Sequence, residues 1–409
     1  MRHIAVIGSG PSGCYLADHL LRLVPDCRVD VIERLPAPFG LVRYGVAPDH
    51  QGTKAVARVF DRMLARDRVG FFGHVEAGRD VRLAELETLY HAVVLATGAP
   101  DDRRLGLPGE DLPGVIGSGR FVGWVNGHPD HPDPGLAPPR AAVVIGNGNV
   151  ALDVARVLAK TPEEFDGSDL GADAARFLAA APLEAVHVVG RRGPGDAKFT
   201  EHELEELATL ARARPMLADP PVPIEDTSCC AVLRGFAGLL PKPVTIAFHF
   251  GWTPEAFLGN GRVASARFRN SAGAVLDLAA DLVVTCIGYR TRACCTATPE
   301  DGRFANDDGH VRDRLYAVGW AKRGPTGTIP TNRVEAQTVA QRIASSLGSD
   351  ERPGGAGLRS LLDARGIRWI DQGGWSRIDA AERAATAPNR CRNKLTTIDA
   401  MLAAASGAA

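Results

Sequence analysis

The chain has 409 residues, a hydrophobic fraction of 45%, a charged fraction of 23% and a formal net charge of -1. That length accommodates two domains, the composition is that of an ordinary globular protein, and the balanced charge excludes a global drive towards nucleic acid or an anionic membrane. No apolar run reaches the about 18 residues that a spanning helix needs, and no basic stretch leading into an apolar one marks a signal peptide. The 8 cysteines fall as Cys14, Cys27, Cys286, Cys391 and the adjacent pairs Cys229-Cys230 and Cys294-Cys295. None has C-x-x-C spacing, so a reduced cytoplasmic protein without a dithiol centre or zinc knuckle is expected.

The first element is the apolar strand Ile4-Ala5-Val6-Ile7, followed by a glycine turn and a helix reaching Leu21. The next strand, residues 28–32, ends in Glu33. Strand, glycine turn, helix and strand make the βαβ unit of a doubly wound sheet. The turn Gly8-Ser9-Gly10-Pro11-Ser12-Gly13 is G-x-G-x-x-G. In that pattern Gly8 permits the tight turn, Gly10 lets backbone approach a pyrophosphate, and Gly13 lets the helix pack on the strand. Glu33 stands about 20 residues further on, where an acid accepts hydrogen bonds from a ribose diol. Its charge disfavours a 2′-phosphate, so this unit is expected to hold FAD or NAD. The run His91-Ala92-Val93-Val94-Leu95-Ala96-Thr97-Gly98 reads as the buried strand that closes the unit. Residues 127–139, rich in Pro and His, read as a loop. The prolines in His128-Pro129-Asp130-His131-Pro132-Asp133 exclude a helix and define no ligand geometry, so no metal is expected there.

A second βαβ unit spans residues 141–158 and the strand 185–189. Its turn is Gly146-Asn147-Gly148-Asn149-Val150-Ala151, with Ala in the third-glycine place. Here the following strand ends in Gly190-Arg191-Arg192, not in an acid. Two guanidiniums suit a dianionic 2′-phosphate, against the competing reading of a solvated basic turn. NADPH is therefore expected in this unit, and FAD in the first. Val244–Phe250 and residues 262–268 alternate and are expected to form an antiparallel hairpin. The strand Asp281-Leu282-Val283-Val284-Thr285-Cys286-Ile287-Gly288 closes the second unit. Gly324-Pro325-Thr326-Gly327 leads into a helix whose free N–H groups are placed to stabilise charge on a flavin. Residues 349–357 read as a linker, with helices to follow around 358–362, 378–385 and 395–402. The expected fold is α/β: two doubly wound dinucleotide-binding domains, the second inserted in the first.

Several runs resemble one family. Pro38-Phe39-Gly40-Leu41-Val42-Arg43-Tyr44-Gly45-Val46-Ala47-Pro48-Asp49-His50 with Lys54 is similar to the signature of the adrenodoxin reductase and FprA-type ferredoxin–NADP(+) reductase family. So are residues 146–153, Gly190-Arg191-Arg192-Gly193-Pro194 with Phe199-Thr200, and Gly319-Trp320-Ala321-Lys322-Arg323-Gly324-Pro325-Thr326-Gly327. The likeness is collinear over essentially the whole chain. It implies FAD contacts at Ser12, Glu33, Leu41, Val75, Trp320, Gly327, Thr328 and Ile329. For NADPH it implies Arg103, Asn147, Gly148, Asn149, Val150, Arg191, Arg192, Glu203 and again Gly327. It places His50 and Glu206 near the contact of nicotinamide with flavin. It also implies an FAD domain of residues 1–104 and 310–409, with an NADPH domain of 105–309 between. Hydride would pass from NADPH to FAD and then leave as single electrons to an iron–sulfur ferredoxin, one able to serve a cytochrome P450.

Competing readings stand beside these. His50 also reads as a satisfied loop histidine, and Glu206 as part of a solvated acidic helix face that it shares with Glu203. The alternative function is an FAD/NADPH oxidoreductase of the same architecture with a small-molecule or quinone acceptor; a disulfide substrate is disfavoured by the cysteine spacing. A member that binds nucleotide without catalysis is a further alternative. Two features depart from the family. Pro330 stands where glycine is usual, and residues 214–243 form a shorter segment with few basic residues beyond Arg214 and Arg234. In the family, basic residues of the NADPH domain help dock acidic ferredoxins.

Overall fold

The computed structural model describes residues 1–218, 227–294 and 297–407. Cys295 and residues 219–226 of the shortened segment lie outside them. The first sheet has six strands in the spatial order His310–Arg312, Leu315–Ala317, Ala92–Leu95, Arg2–Ile7, Cys27–Glu33 and Val69–Gly73. All neighbours are parallel except the short pair at residues 310–317. Successive side chains point to opposite faces, so Ile4 and Val6 enter one core and Ala5 and Ile7 the other. Helices Pro11–Leu23, Ala57–Leu64 and Ile329–Ser346 cover the first face through Leu16, Leu20, Phe60, Ala336 and Val339. Helices Leu83–Leu89 and Gly354–Ala364 cover the second through Leu83, Leu86, Leu358 and Leu362. Cover on both faces is why these strands read as unbroken apolar runs.

The second sheet runs Val115–Gly117, Leu282–Thr285, Ala141–Ile145, Ala185–Gly190, Val244–Phe250 and Ala213–Leu217, parallel throughout. It is threaded into the first. The chain leaves the first sheet after Ala92–Leu95 and returns at His310–Arg312 and then Leu315–Ala317, the latter paired in parallel with the strand it left. The outgoing and returning segments also pair with each other, Asp101–Asp102 against Tyr289–Arg290. The two modules are thus joined by a two-stranded antiparallel hinge.

One expected hairpin is not formed. Val244–Phe250 lies between two parallel strands of the second sheet. Residues 262–268 contribute instead to Ser265–Asn270, the middle strand of a three-stranded antiparallel sheet between Trp252–Leu258 and Val275–Ala279. The reason lies at Gly251, where a φ of 81° turns the chain sharply. The strand before it is buried on both faces like any interior parallel strand, with Ile246, Ala247, Phe248 and His249 all buried. The expected linker at 349–357 is also shorter than read, since a helix begins at Gly354. The Pro- and His-rich stretch is a loop as expected, and burial against Tyr44 holds His128 down to about 3.

The C-terminal segment ties the modules together. Helix Gln372–Ala384 packs in the first module, and the stretch after it crosses to the second. There Asn389 O accepts from Gly167 N–H (2.9 Å), Cys391 N–H donates to Ser168 O (3.0 Å), and Arg390 donates to Phe165 O (2.8 Å). Lys394 and Lys54 both pair with Asp169, at 2.8 and 2.7 Å, and Lys54 also donates to Asn126 Oδ1 (2.6 Å). Glu382, wholly buried, accepts from Arg43 (2.5 Å), Arg392 (2.7 Å) and Leu395 N–H (2.9 Å). Burial pushes the Asp169 carboxyl up, but Lys394 and Lys54 outweigh it and hold it below its ordinary range. Asp169→Ala leaves two buried ammonium groups without a counter-charge. It should cost about 3–5 kcal/mol, read as a lower denaturant midpoint. In the parent chain the Asp169 contribution is present above the unfolded carboxylate value of about 3.9 and lost as pH falls through the lower folded value. The Ala variant should lack that acid-side loss.

Candidate functional site

The first glycine turn is built by close packing. At Gly8, with φ at 108°, a Cβ would meet Ala96 O at 2.4 Å, and at Gly13 one would meet Gly8 O at 2.2 Å. At Gly10 a Cβ would meet nothing within 4 Å. The outer two glycines are therefore fixed by the fold, while the middle one borders open space at the start of helix Pro11–Leu23. That is where N–H groups and the helix dipole receive a phosphate. At the end of its strand, Glu33 accepts from Ser9 N–H (3.0 Å) and Ser9 Oγ (2.6 Å) through one oxygen, and from Leu35 N–H (3.1 Å) through the other. Ser9 was not singled out in the sequence. It is fully buried, and its hydroxyl also accepts from Phe39 N–H (3.1 Å), so it joins the turn, the acid and the Pro38–His50 run. Its only signal was a hydroxyl inside the glycine turn.

The remaining residues of the first cradle converge from distant parts of the chain. Ser12 lies under Gly319, where a Cβ would sit 2.0 Å from the Ser12 hydroxyl. Val75 is buried and donates its N–H to Glu33 O (2.9 Å). Leu41 is 46% exposed between the buried Phe39 and Val42, an apolar surface suited to cover by a planar ring. Trp320 stacks on Tyr289 of the hinge, with centroids 5.8 Å apart, and donates to Thr326 O (3.0 Å). The loop from Gly319 is braced by Glu335, which accepts from Gly319 N–H (2.7 Å) and Arg323 (2.5 Å). Gly327, with φ at 80°, leads into Thr328, which caps helix Ile329–Ser346. Pro330 falls in the first turn of that helix, where its missing N–H is one the helix leaves unpaired in any case.

The second cradle repeats the logic. Gly146 is pressed on Cys286 O, which a Cβ would meet at 2.3 Å, and Gly148 is open. Ala151 is wholly buried in the third place. The turn is clamped by the segment after the arginines: Lys198 N–H donates to Asn147 O (2.7 Å) and Thr200 N–H to Asn149 Oδ1 (2.8 Å). Val150 packs partly into the core. Arg191 and Arg192 are exposed just beyond strand Ala185–Gly190, and among the described residues no carboxylate pairs with either. Arg103 is exposed on the hinge, its Nε donating to Tyr289 O (2.9 Å).

Between the cradles the modules meet. His50 Nε2 bonds Glu206 Oε2 at 3.0 Å and lies 3.9 Å from Glu203, while its Nδ1 is 3.7 Å from Asp153. Glu206 is thus half-buried against His50 and not a fully solvated acid. On helix Glu201–Thr209 it turns inward with Glu203, leaving Glu201, His202 and Glu205 to solvent. Asp49 accepts from Arg156 and from Lys160 (2.5 Å), and Arg156 also pairs with Asp153 (2.5 Å) and Glu206 (3.4 Å). Burial pushes the Asp153 and Glu203 carboxyls above their ordinary range. Burial also pushes Asp49 up, yet Arg156 and Lys160 hold it below its ordinary range. Asp153 escaped the sequence reading of roles. Its signal was its place one turn after Asn149 on the helix that follows the glycine turn.

The arrangement has close counterparts. The model of the pyridine nucleotide-disulphide oxidoreductase family matches residues 2–193. Cindoxin reductase of Citrobacter braakii is 40% identical over 98% of this chain and 90% of its own length. The mitochondrial NADPH:adrenodoxin oxidoreductase of Homo sapiens is 38% identical over 93% of this chain and 87% of its own. The solved structure of Mycobacterium tuberculosis FprA in complex with NADPH superposes with a TM-score of 0.92 at 36% identity, covering 100% of both chains. With such identity over nearly its whole length, the chain belongs to the adrenodoxin reductase and FprA-type ferredoxin–NADP(+) reductase family of oxidoreductases.

Proposed function

We propose that this chain takes electrons from NADPH and delivers them, through FAD, to an iron–sulfur ferredoxin. The observation that carries the cofactor assignment is the contrast at equivalent strand ends: Glu33 in one module, Arg191 and Arg192 in the other. A carboxylate fixed by three donors accepts from a ribose diol and repels a 2′-phosphate, whereas two exposed guanidiniums attract it. The FAD domain comprises residues 1–104 and 310–409, and the NADPH domain residues 105–309. When bound, the nicotinamide supplies a hydride and the flavin converts that pair into single electrons.

The chain's own residues hold and align. Gly8, Gly10, Ser12 and Gly13 receive the FAD pyrophosphate, Glu33 the ribose, and Leu41, Val75 and Trp320 the rest of the cofactor. Gly327, Thr328 and Ile329 direct N–H groups of a helix start towards the flavin. Gly148, Asn147, Asn149 and Val150 receive the NADPH pyrophosphate, with Arg103, Glu203 and Gly327 as further contacts. His50 and Glu206 stand where the modules meet and hold a proton between them at His50 Nε2. No buried dithiol is needed, and burial pushes the Cys14 thiol near the first turn well above its ordinary range. The thiols of Cys14, Cys27, Cys229, Cys230, Cys286 and Cys391 are free, which suits a cytoplasmic setting. No helix of the described residues is long and apolar enough to cross a membrane. A ferredoxin reduced in this way would be able to supply a cytochrome P450.

Replacing Arg191 and Arg192 by Ala should raise KM for NADPH at least about tenfold, from the about 1.5–3 kcal/mol of a charge-assisted hydrogen bond, and change KM for NADH far less. An unaltered preference for NADPH would remove the 2′-phosphate assignment. The acceptor is tested by NADPH-driven cytochrome c reduction with and without a ferredoxin. Strong stimulation is expected. Rapid NADPH oxidation that several ferredoxins leave unstimulated would point to a small-molecule or quinone acceptor.

A further inference from the structure

Surface helices of the two modules differ in the charge they show. On the inserted module, helix Glu201–Thr209 shows Glu201 and Glu205 to solvent. On the first module, helices Pro11–Leu23, Ala57–Leu64 and Ile329–Ser346 form one layer over the sheet. The outer side of that layer carries Arg58 and Arg62, one turn apart, and Arg333. Among the described residues no carboxylate pairs with any of the three, while Arg22 and Arg66 share Asp18 at 2.6 and 2.9 Å. The nearby Asp61 is engaged by the Trp375 indole N–H (2.8 Å). Two valines stand out on the same helices, Val59 at 46% and Val334 at 69% exposure.

This layer adjoins the first cradle. Arg333 and Val334 follow Thr328 and Ile329 by little more than a turn, opposite the buried Asn332 and Ala336. Tyr15 lies one turn beyond Ser12. Its ring meets Phe60 of helix Ala57–Leu64 edge-on at 5.0 Å, and Phe39 packs on Phe60 from the cradle side at 6.2 Å. Helix Pro11–Leu23, which carries Tyr15, packs along helix Ile329–Ser346, which carries Arg333. Uncompensated guanidiniums around exposed apolar side chains combine long-range attraction for an acidic protein with a contact surface. Glu201 and Glu205 would repel the same protein.

Resting on the ferredoxin reading above, we propose that a small acidic iron–sulfur protein docks on the first module, over Arg58, Arg62 and Arg333 with Val59 and Val334, and not across helix Glu201–Thr209. The chain bearing Arg58→Glu, Arg62→Glu and Arg333→Glu tests this, with an acidic [2Fe–2S] ferredoxin as probe and cytochrome c as final acceptor. Its KM for ferredoxin should rise at least about tenfold at low ionic strength, with the difference shrinking as salt screens the charges. Its NADPH-driven reduction of menadione, a neutral small acceptor, should stay at the parent rate. At physiological ionic strength, where charges more than about 8 Å from the contact are largely screened, the pair Glu201→Lys and Glu205→Lys should leave KM for ferredoxin within about twofold. A parent-like KM in the arginine variant, with ferredoxin stimulating the parent, would overturn the docking surface alone. A parent chain that ferredoxin does not stimulate would overturn the acceptor reading and this surface with it.

Discussion

Hydride transfer needs its two partners about 3–3.5 Å apart and aligned, and in the proposed assignment each partner belongs to a different module. The angle between the modules is therefore the quantity on which the rest depends. Each glycine turn builds its cradle locally, from its own strand and helix, and neither says anything about the other. What relates them is the set of charged contacts across the junction: Asp49 with Arg156 and Lys160, His50 with Glu206, and Lys54 and Lys394 with Asp169. The covalent link between the modules is the short pair Asp101–Asp102 and Tyr289–Arg290, and these contacts add to it.

Such a junction is a specification device more than a source of stability. Buried ion pairs recover little beyond the cost of removing both charges from water, yet they tolerate few geometries, whereas an apolar interface tolerates many. The same residues set the local proton balance. Arg156 holds Asp49 ionised while Asp153 and Glu203, pushed up by burial, stand on either side of His50. A group that positions the modules and a group able to hold a proton are here in contact through one guanidinium.

Much of the fold was legible because doubly wound units write their chemistry locally. Gly8, Gly10 and Gly13 announce a turn, and the strand that follows each turn ends where the pattern puts it, at Glu33 in one unit and before Arg191-Arg192 in the other. The inward Glu206 was not separable from a solvated acid, because helical spacing gives its face but not what lies opposite. That came from His50, 156 residues away in sequence. Ser9 and Asp153 were hidden for the same reason, being small or charged residues whose role depends on distant partners. The failed hairpin at Val244–Phe250 shows the converse error: local alternation was read as an antiparallel pair, while the strand was an interior parallel one that ended at Gly251. The crossing tail around Lys394 had no pattern at all, since an extended strap held by backbone and single ion pairs leaves no periodicity.

The most direct measurement is the limiting rate of flavin reduction by saturating NADPH in a rapid-mixing experiment on Asp49→Ala. This change frees Arg156 and Lys160 from the loop that carries His50 but touches neither glycine turn. If the junction sets the alignment, the limiting rate falls at least about tenfold, in line with the roughly 10²-fold cost of a 1 Å misplacement. The flavin stays bound, and the NADPH dissociation constant changes less than about threefold, because Asp49 is not among the residues that hold NADPH. A limiting rate equal to that of the parent chain would contradict the account.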